Sequence, residues 1–382
     1  TAAIESGCEA IHPGYGFLAE NGDFAEKVEA CGLKLIGPSS RVINLMGNKL
    51  SARGLMEESG VPVVPGCNDV VHDEEQLYRI ADEIGYPVLL KASAGGGGKG
   101  MRRIYKREDL VPGWELTRRE AKASFANDDI YIEKLIENPR HIEIQILADS
   151  LGNVVYLPER DCSIQRNNQK IIEESPSRAN SDLLEKMYQS AVMCAKACGY
   201  EGTGTVEFIV DKYDNYYFME MNTRIQVEYP VTEMVTGINL IKEQIRIASG
   251  LPLSVKQEDV AANGHAIEVR VNAQNPYDDF RPSCGEISFF LPPGGLDTRF
   301  ETALYQGAKI LPFYDSMMAK LIVKGSTRMD AIKKLRRAVS ETIIDGVPTN
   351  LGFIYAILYD KDFILGNIDT NYVAHKEAEL LE

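Results

Sequence analysis

The sequence predicts a multidomain protein of mixed α/β and α+β class, and three observations carry that reading. At 382 residues the chain exceeds the size at which a single hydrophobic core keeps growing, so two or three domains are expected. From Glu9 to Ile36 the pattern runs strand, loop, helix, strand, which is half of a parallel α/β unit. Beyond Leu135 strands dominate, and His141-Ile-Glu-Ile-Gln-Ile-Leu147 alternates cleanly, with His141, Glu143 and Gln145 on one face and three isoleucines on the other.

Composition narrows the function classes. With 44% hydrophobic and 25% charged residues the chain has the make-up of an ordinary globular protein. No run of 18 apolar residues occurs and the start has no signal-peptide pattern, so no membrane span or export is expected. A net charge of −15 argues against a nucleic-acid face, and an anionic ligand would need a local basic pocket. The five histidines are scattered without a zinc spacing, and the seven cysteines form no C-x-x-C pair. A reducing compartment is expected, the cytoplasm, or the mitochondrial matrix if the source is eukaryotic.

Taken in order, Thr1 to Glu5 reads as the tail of a helix, as though the domain to which 1–36 belongs started earlier. A helix follows over Asp23 to Ala30, stopped at Cys31-Gly32 before a strand at Leu33 to Ile36. Residues 37–62 read as a linker that opens on Gly37-Pro38-Ser39-Ser40 and holds one helix that contains Met46 to Lys49 and ends at Gly60, before Val61-Pro62. Residues 63–134 read as a small α+β domain. It has a helix from Asp73 to Ile84, strands at Val88 to Ala92, Met101 to Tyr105 and Ile130 to Glu133, and a helix from Trp114 to Phe125. The remainder, 135–382, is expected to be β-rich with helices at Leu183 to Cys198, Leu240 to Ala248 and Arg328 to Thr342.

Two stretches carry chemistry. Between Thr205 and Glu228, two β-rich segments flank the polar turn Asp211 to Asn215, the pattern of an antiparallel hairpin. Strand alternation puts Glu220 and Asn222 on one face, where Glu207 of the partner strand can meet them. If the extended path continues, Arg224, Gln226 and Glu228 share that face. Hard oxygen ligands beside cationic donors suit Mg²⁺ held together with nucleotide phosphates; a solvated polar strand face has the same spacing. The second stretch is Ser93-Ala-Gly-Gly-Gly-Gly-Lys-Gly-Met101. Its G-x-G-x-x-G spacing is followed by a strand rather than a helix, and Lys99 is followed by Gly100, so neither a dinucleotide fingerprint nor a Walker A loop fits. Consecutive glycines let backbone N–H groups approach phosphate oxygens, with Lys99 adding charge. A floppy surface turn is the alternative.

Beside Lys91 to Met101, four further motifs stand in order: Glu133-Lys134, Glu137-Asn-Pro-Arg-His141-Ile-Glu-Ile-Gln145, Glu159-Arg-Asp-Cys-Ser-Ile-Gln-Arg166, and Glu220-Met-Asn-Thr-Arg-Ile-Gln-Val-Glu228. Together they resemble the ATP-grasp biotin carboxylases over essentially the whole chain. The resemblance implies an ATP-grasp fold: a partial Rossmann-like N-terminal domain in 1–36, a mobile glycine-loop lid in 63–134 and a large C-terminal β-rich domain. Against that family, on the order of 60 residues of a first Rossmann-like portion are absent here.

The activity implied is an ATP-dependent ligase reaction that forms a C–N bond. ATP phosphorylates bicarbonate to carboxyphosphate, which delivers CO₂ to N1′ of biotin. Lys49, Lys91 and His141 would contact ATP phosphates under the lid of Gly95, Gly96, Gly97, Gly98, Lys99, Gly100 and Met101. Glu133 with the backbones of Lys134 and Ile136 would hold the adenine edge, and Gln165 and Asn168 would lie near the ribose. Glu207 and Glu220, with Asn222 beside them, would ligate Mg²⁺ or Mn²⁺. Lys170, Arg224, Gln226 and the Val227 backbone would bind bicarbonate, Glu228 would be its base, Arg270 would stabilise the biotin enolate, and Tyr15 and Gly16 would face biotin. The bland alternatives are a solvated helix face for Lys49, a strand-surface partner for His141 and an ion pair between Arg270 and Glu268. Implied partners are a biotin carboxyl carrier protein or domain, a carboxyltransferase and, as a family trait, a second copy.

Three positions depart from the family pattern, which has histidine at 168 and 229 and aspartate at 48, where this chain has Asn168, Tyr229 and Asn48. Asn168 and Tyr229, with the absent first portion, keep a non-catalytic nucleotide-binding scaffold open as an alternative, beside an ATP-grasp ligase for another carboxylate.

Overall fold

The computed structural model describes residues 1–93 and 100–382; the phosphate cradle expected from Gly95 to Lys99 lies outside them. Two short strands, β1 (Ala10–Ile11) and β2 (Lys34–Leu35), pair in parallel around the helix Gly22–Ala30. Asn21 caps that helix by accepting the Phe24 N–H at 2.7 Å. The segment expected as a linker is instead built into the core. Helices Ser40–Gly47 and Lys49–Glu58 bury Val42, Met46, Ala52 and Met56 against the large sheet, because apolar residues recur there at helical spacing. The single helix expected there is broken at Asn48. Its side chain accepts the Ser51 N–H at 3.0 Å and starts the second helix, with Lys49 at the first position.

Strands β3 (Val88–Ala92), β4 (Met101–Ile104) and β5 (Ile130–Lys134) form a three-stranded antiparallel sheet in the order β4-β3-β5. With helices Glu74–Ile84 and Leu110–Phe125 it encloses a core of its own around Leu77, Leu90, Trp114 and Ile132. The second helix starts one turn earlier than the sequence suggests. At the start of this unit Val63 makes one isolated bridge, with Phe218. Gly100, at φ +70°, closes the strand pair where an added Cβ would stand 2.9 Å from that of Ala92.

A nine-stranded antiparallel sheet carries the rest. Its strands are β6 (Arg140–Ala148), β7 (Val154–Tyr156), β8 (Arg160–Arg166), β9 (Gln169–Ser175), β10 (Gly202–Val210), β11 (Tyr216–Asn222), β12 (His265–Asn272), Thr298–Thr302 and Met317–Gly325. The order is β11-β10-β6-β8-β9-β12, then Met317–Gly325 and Thr298–Thr302, with β7 on β6. The isoleucines 142, 144 and 146 face the helix Ser181–Cys198 in one core, and Ile267, Val269, Leu321 and Val323 pack on the helix Arg328–Glu341 in a second. Among the described residues no helix is long and apolar enough to cross a membrane.

Turn chemistry sets the registers that matter. Between β8 and β9, Arg166 pairs with Gln169 across a two-residue loop in which Asn167 and Asn168 have φ of 51° and 62°. Positive φ at both central positions is the type I′ hairpin requirement, which asparagine meets better than other side-chain-bearing residues. Between β10 and β11, the Asp211 carboxylate accepts the N–H groups of Tyr213 at 2.8 Å and Asn215 at 2.9 Å. Glu207 then stands opposite Glu220, at a bulge. After Asn222 the chain does not continue extended. It turns into the helix Tyr229–Thr236, so Arg224, Gln226 and Glu228 approach from a loop and not from one strand face.

Candidate active site

A cleft of ≈ 1190 Å³ lies between the small sheet and the large one. Every candidate named above lines it except Gly100 and the residues outside the description. Sequence order is thus folded so that strands β3, β5, β6, β9, β10, β11 and β12, the loop 223–228 and the first loop at Tyr15 and Gly16 all contribute to one space.

At its floor, Lys170 Nζ sits 2.6 Å from Glu143 Oε2, 3.0 Å from Glu207 Oε1 and 2.5 Å from Glu228 Oε1. Burial opposes its charge, yet the three carboxylates Glu143, Glu207 and Glu228 lift its pKa well above the ordinary lysine value. The carboxylates respond in kind. Burial would raise each, and Lys170 with neighbouring cations overrides it, so Glu143, Glu207 and Glu228 are all held below the usual carboxylate range. His141 Nε2 lies 3.2 Å from Glu207 Oε2 at an angle that makes no hydrogen bond, while the Gln165 amide meets Nδ1 at 2.9 Å. Burial disfavours the imidazolium, but Glu207 outweighs it and the His141 pKa is raised to about 9.

Beside this floor, Arg270 donates from Nε to Glu173 Oε1 at 2.6 Å and from Nη2 to Glu228 Oε2 at 3.0 Å. Its partner is therefore not Glu268, although both lie on one face of β12. Glu268 is fully buried, stands opposite Glu173 in register, and neither of its oxygens has a partner among the described residues. Burial, relieved too little by Lys320, pushes its carboxyl well above the usual range. Glu173 is raised to about 6, by burial against the pull of Arg270.

The nucleotide side is polar but partly self-paired. Lys91 Nζ is 2.9 Å from Glu133 Oε1, so Glu133 meets the cleft as half of an ion pair. The Lys134 N–H already donates to the Pro65 carbonyl at 2.7 Å and is not free for an adenine edge. Lys49 Nζ stands 3.7 Å from Glu220 Oε2, and burial lowers its pKa. Arg224 donates to Glu20 Oε2 and to Asn222 Oδ1, both at 2.8 Å, and Gln226 Nε2 donates to Glu207 Oε1 at 2.6 Å.

Sequence reasoning missed a group of buried charges behind these residues. Arg160 is fully buried and makes five hydrogen bonds, to Glu143, Gln145, Thr232, Thr205 and Gln226 at 2.6 to 3.1 Å. Glu143 and Gln145 were legible as one face of β6, and Arg160 stands in a quoted motif. Their convergence needs β6, β8 and β10 as neighbours, which no single-strand pattern announces.

Hard oxygen donors at Glu207 and Glu220, paired across the hairpin and both bordering the cleft, suit a small divalent cation. His141, Glu143 and Glu207 also bring donor atoms within 4.8 Å of one another, so Glu207 belongs to either arrangement. We favour the Glu207, Glu220 pair, since Lys170 and Arg160 already saturate Glu143.

Comparisons with known proteins agree across the chain. The model of the biotin carboxylase N-terminal domain matches residues 1–43, that of the carbamoyl-phosphate synthase L chain ATP-binding domain 48–256, and that of the biotin carboxylase C-terminal domain 268–375. The chain is 54% identical over 370 residues to biotin carboxylase 1 of Bacillus subtilis, covering 96% of this chain and 82% of that one. It is 51% identical to the biotin carboxylase of Haemophilus influenzae, over 98% of this chain and 84% of the other. Among solved structures it is similar to the biotin carboxylase domain dimer of Hydrogenobacter thermophilus 2-oxoglutarate carboxylase, in complex with MgADP, ADP and bicarbonate. That similarity has a TM-score of 0.97 and 48% identity, over 100% of this chain and 84% of that one. A biotin carboxylase complex from Campylobacter jejuni gives a TM-score of 0.95 at 45% identity, over 98% and 84% of the two chains.

Proposed function

Because the chain belongs to the biotin carboxylase family, with its ATP-grasp fold, we propose that the residues gathered in this cleft carry out the family reaction in the roles that follow. The activity is ATP-dependent carboxylation of biotin with bicarbonate, and it uses ATP, Mg²⁺ and biotin as the carried substrate. The observation that carries the assignment is the convergence of Lys170 and Arg270 on the two oxygens of Glu228.

Lys49, Lys91 and His141 supply positive charge to the phosphates, which phosphoryl transfer needs more than any covalent help. Glu207 and Glu220, with Asn222 beside them, would hold Mg²⁺, which neutralises charge between phosphate oxygens when bound. Arg224, Gln226 and the Val227 backbone orient bicarbonate at the loop, and Lys170 sets its charge balance. Glu228, kept ionised between two cations, accepts the bicarbonate proton so that the freed oxygen can attack the γ-phosphorus and release ADP. Carboxyphosphate then breaks down to phosphate and CO₂, the released phosphate takes the N1′ proton of biotin, and the N1′ so freed attacks the carbon of CO₂. Arg270 keeps its charge throughout and so stabilises the ureido enolate without giving up a proton. Tyr15 and Gly16 border the same cleft and offer the biotin ring a wall.

On this reading the chain works with a biotin carboxyl carrier protein or domain and a carboxyltransferase, and pairs with a second copy. The names of the similar proteins, a 2-oxoglutarate carboxylase domain dimer and a pyruvate carboxylase subunit, support that setting. All seven cysteines are free, in keeping with a reducing cytoplasmic or matrix compartment. The scaffold alternative loses one of its motives where Asn168 serves as a turn residue. The test is ATP cleavage by the purified chain with bicarbonate and free biotin supplied or withheld. Cleavage that needs bicarbonate and is raised further by biotin is the expected result, and cleavage that ignores both overturns the proposal.

A further inference from the structure

Tyr229 is the departure that the reaction scheme leaves unexplained. Its ring lies 4.6 Å from Nζ of Lys320, a residue of the strand Met317–Gly325 that stands opposite Arg270 in register. Lys320 is only 4% exposed and does not line the cleft. Its ammonium donates to the Val227 carbonyl at 2.8 Å, pairs with Glu301 Oε2 at 2.7 Å, and lies 5.7 Å from the Tyr15 ring.

We infer that Lys320 is a positioning residue of the reaction, fixing the peptide that joins Val227 to the base Glu228 through the Val227 carbonyl, with Tyr229 as its ring platform. This inference rests on the reading of residues 224–228 as the bicarbonate loop.

The geometry gives the mechanism. The peptide between Val227 and Glu228 is trans and planar, so anchoring its carbonyl on the Lys320 side turns the Glu228 N–H to the opposite side. Lys320 thereby sets the rotation of the loop at the two residues that would meet bicarbonate and its proton. The tyrosine fits this task. A neutral ring face attracts an ammonium, whereas a protonated histidine would repel it. Arg299 steadies the ring from outside, donating from Nη2 to the Tyr229 hydroxyl at 3.3 Å and from Nη1 to Glu233 at 2.7 Å. A cation buried for structural reasons alone would need Glu301 but not a carbonyl of the substrate loop.

The test is steady-state ATP cleavage by the full chain, with ATP and bicarbonate varied separately, for Lys320→Met, Lys320→Arg and Tyr229→Leu. Losing one hydrogen bond from a charged group predicts a bicarbonate KM raised by about ten- to a hundredfold in Lys320→Met, with the KM for ATP within about twofold of the parent. Lys320→Arg can still donate to the carbonyl and should return the bicarbonate KM to within about threefold. Tyr229→Leu leaves the ammonium in place without its platform and should raise the same constant by about threefold or more, which keeps the inference testable if Lys320→Met fails to fold. Unchanged bicarbonate KM in a folded Lys320→Met, or a lowered melting temperature with both KM values intact, overturns the inference alone. ATP cleavage by the parent chain that ignores bicarbonate overturns the reading of the loop and this inference with it.

Discussion

Arg270 Nη2 stands 3.0 Å from Glu228 Oε2, and the other end of the same guanidinium is 2.6 Å from Glu173. One arginine thus ties Glu228 to a carboxylate on the neighbouring strand β9, while Lys170 holds Glu228 from its other oxygen at 2.5 Å. The two cations divide the labour. Lys170 also touches Glu207 and, in the proposed roles, serves the phosphate and bicarbonate end, whereas Arg270, carried by β12, would serve biotin.

That division predicts a split in Arg270→Met. Bicarbonate-dependent ATP cleavage without biotin should survive, while carboxylation of free biotin falls by about a hundredfold or more, the scale of removing one donor to a developing oxyanion. Parallel assays of ADP release and carboxybiotin formation check it. An equal loss of both would place Arg270 in the bicarbonate step instead.

Arg160 makes a stability prediction. Its five hydrogen bonds join β6, β8, β10, the loop 223–228 and the helix Tyr229–Thr236, and removing it leaves Glu143 buried with fewer cations. Arg160→Met should cost about 3–5 kcal/mol in chemical denaturation, the range for breaking a buried ion pair from one side. A cost below about 1 kcal/mol would show the network to be ornamental.

Glu268 makes a pH prediction with a definite sign. Its folded carboxyl is pushed well above the ordinary 4.5 by burial, so the folded state favours the protonated form. The stability that goes with the proton is fully present below the unfolded pKa and erodes as pH rises above it. Glu268→Gln, which is neutral at every pH, should therefore melt higher than the parent at about pH 7.5 and show little difference at about pH 4. A melting difference that does not change between the two would contradict the assignment.

Asn168 makes a conformational prediction. At φ 62° in the β8–β9 turn it can be exchanged for glycine at little cost, whereas Asn168→Val should lose about 1–2 kcal/mol, the penalty for a branched side chain in left-handed backbone. Thermal melting of the two variants distinguishes this from a role in nucleotide contact alone.

Much of the architecture was legible in residues 141–147, where a period of two separates the isoleucine core from a polar face, and in caps such as Asp73, whose side chain accepts the Gln76 N–H at 2.8 Å. The opposition of Glu207 and Glu220 was legible too, because the Asp211 turn sets the hairpin register. Other features were hidden for physical reasons. The pairing of Arg270 with Glu173 and not Glu268 depends on which strand lies beside β12, a long-range fact absent from the local pattern. The helices of 37–62 looked like a linker because Gly37-Pro38 punctuates them, yet their apolar stripes pack on a sheet formed far later in the chain. Arg224, Gln226 and Glu228 would share a strand face only if the extended path continued past Asn222, and it is the turn there that brings them into the cleft.

The central claim is that bicarbonate itself attacks the terminal phosphate of ATP in this cleft. Incubating the chain with ATP, Mg²⁺, free biotin and bicarbonate carrying heavy oxygen, followed by mass spectrometry of the released phosphate, tests it most directly. The account predicts that a bicarbonate oxygen appears in the phosphate; phosphate whose added oxygen comes from water alone would contradict it.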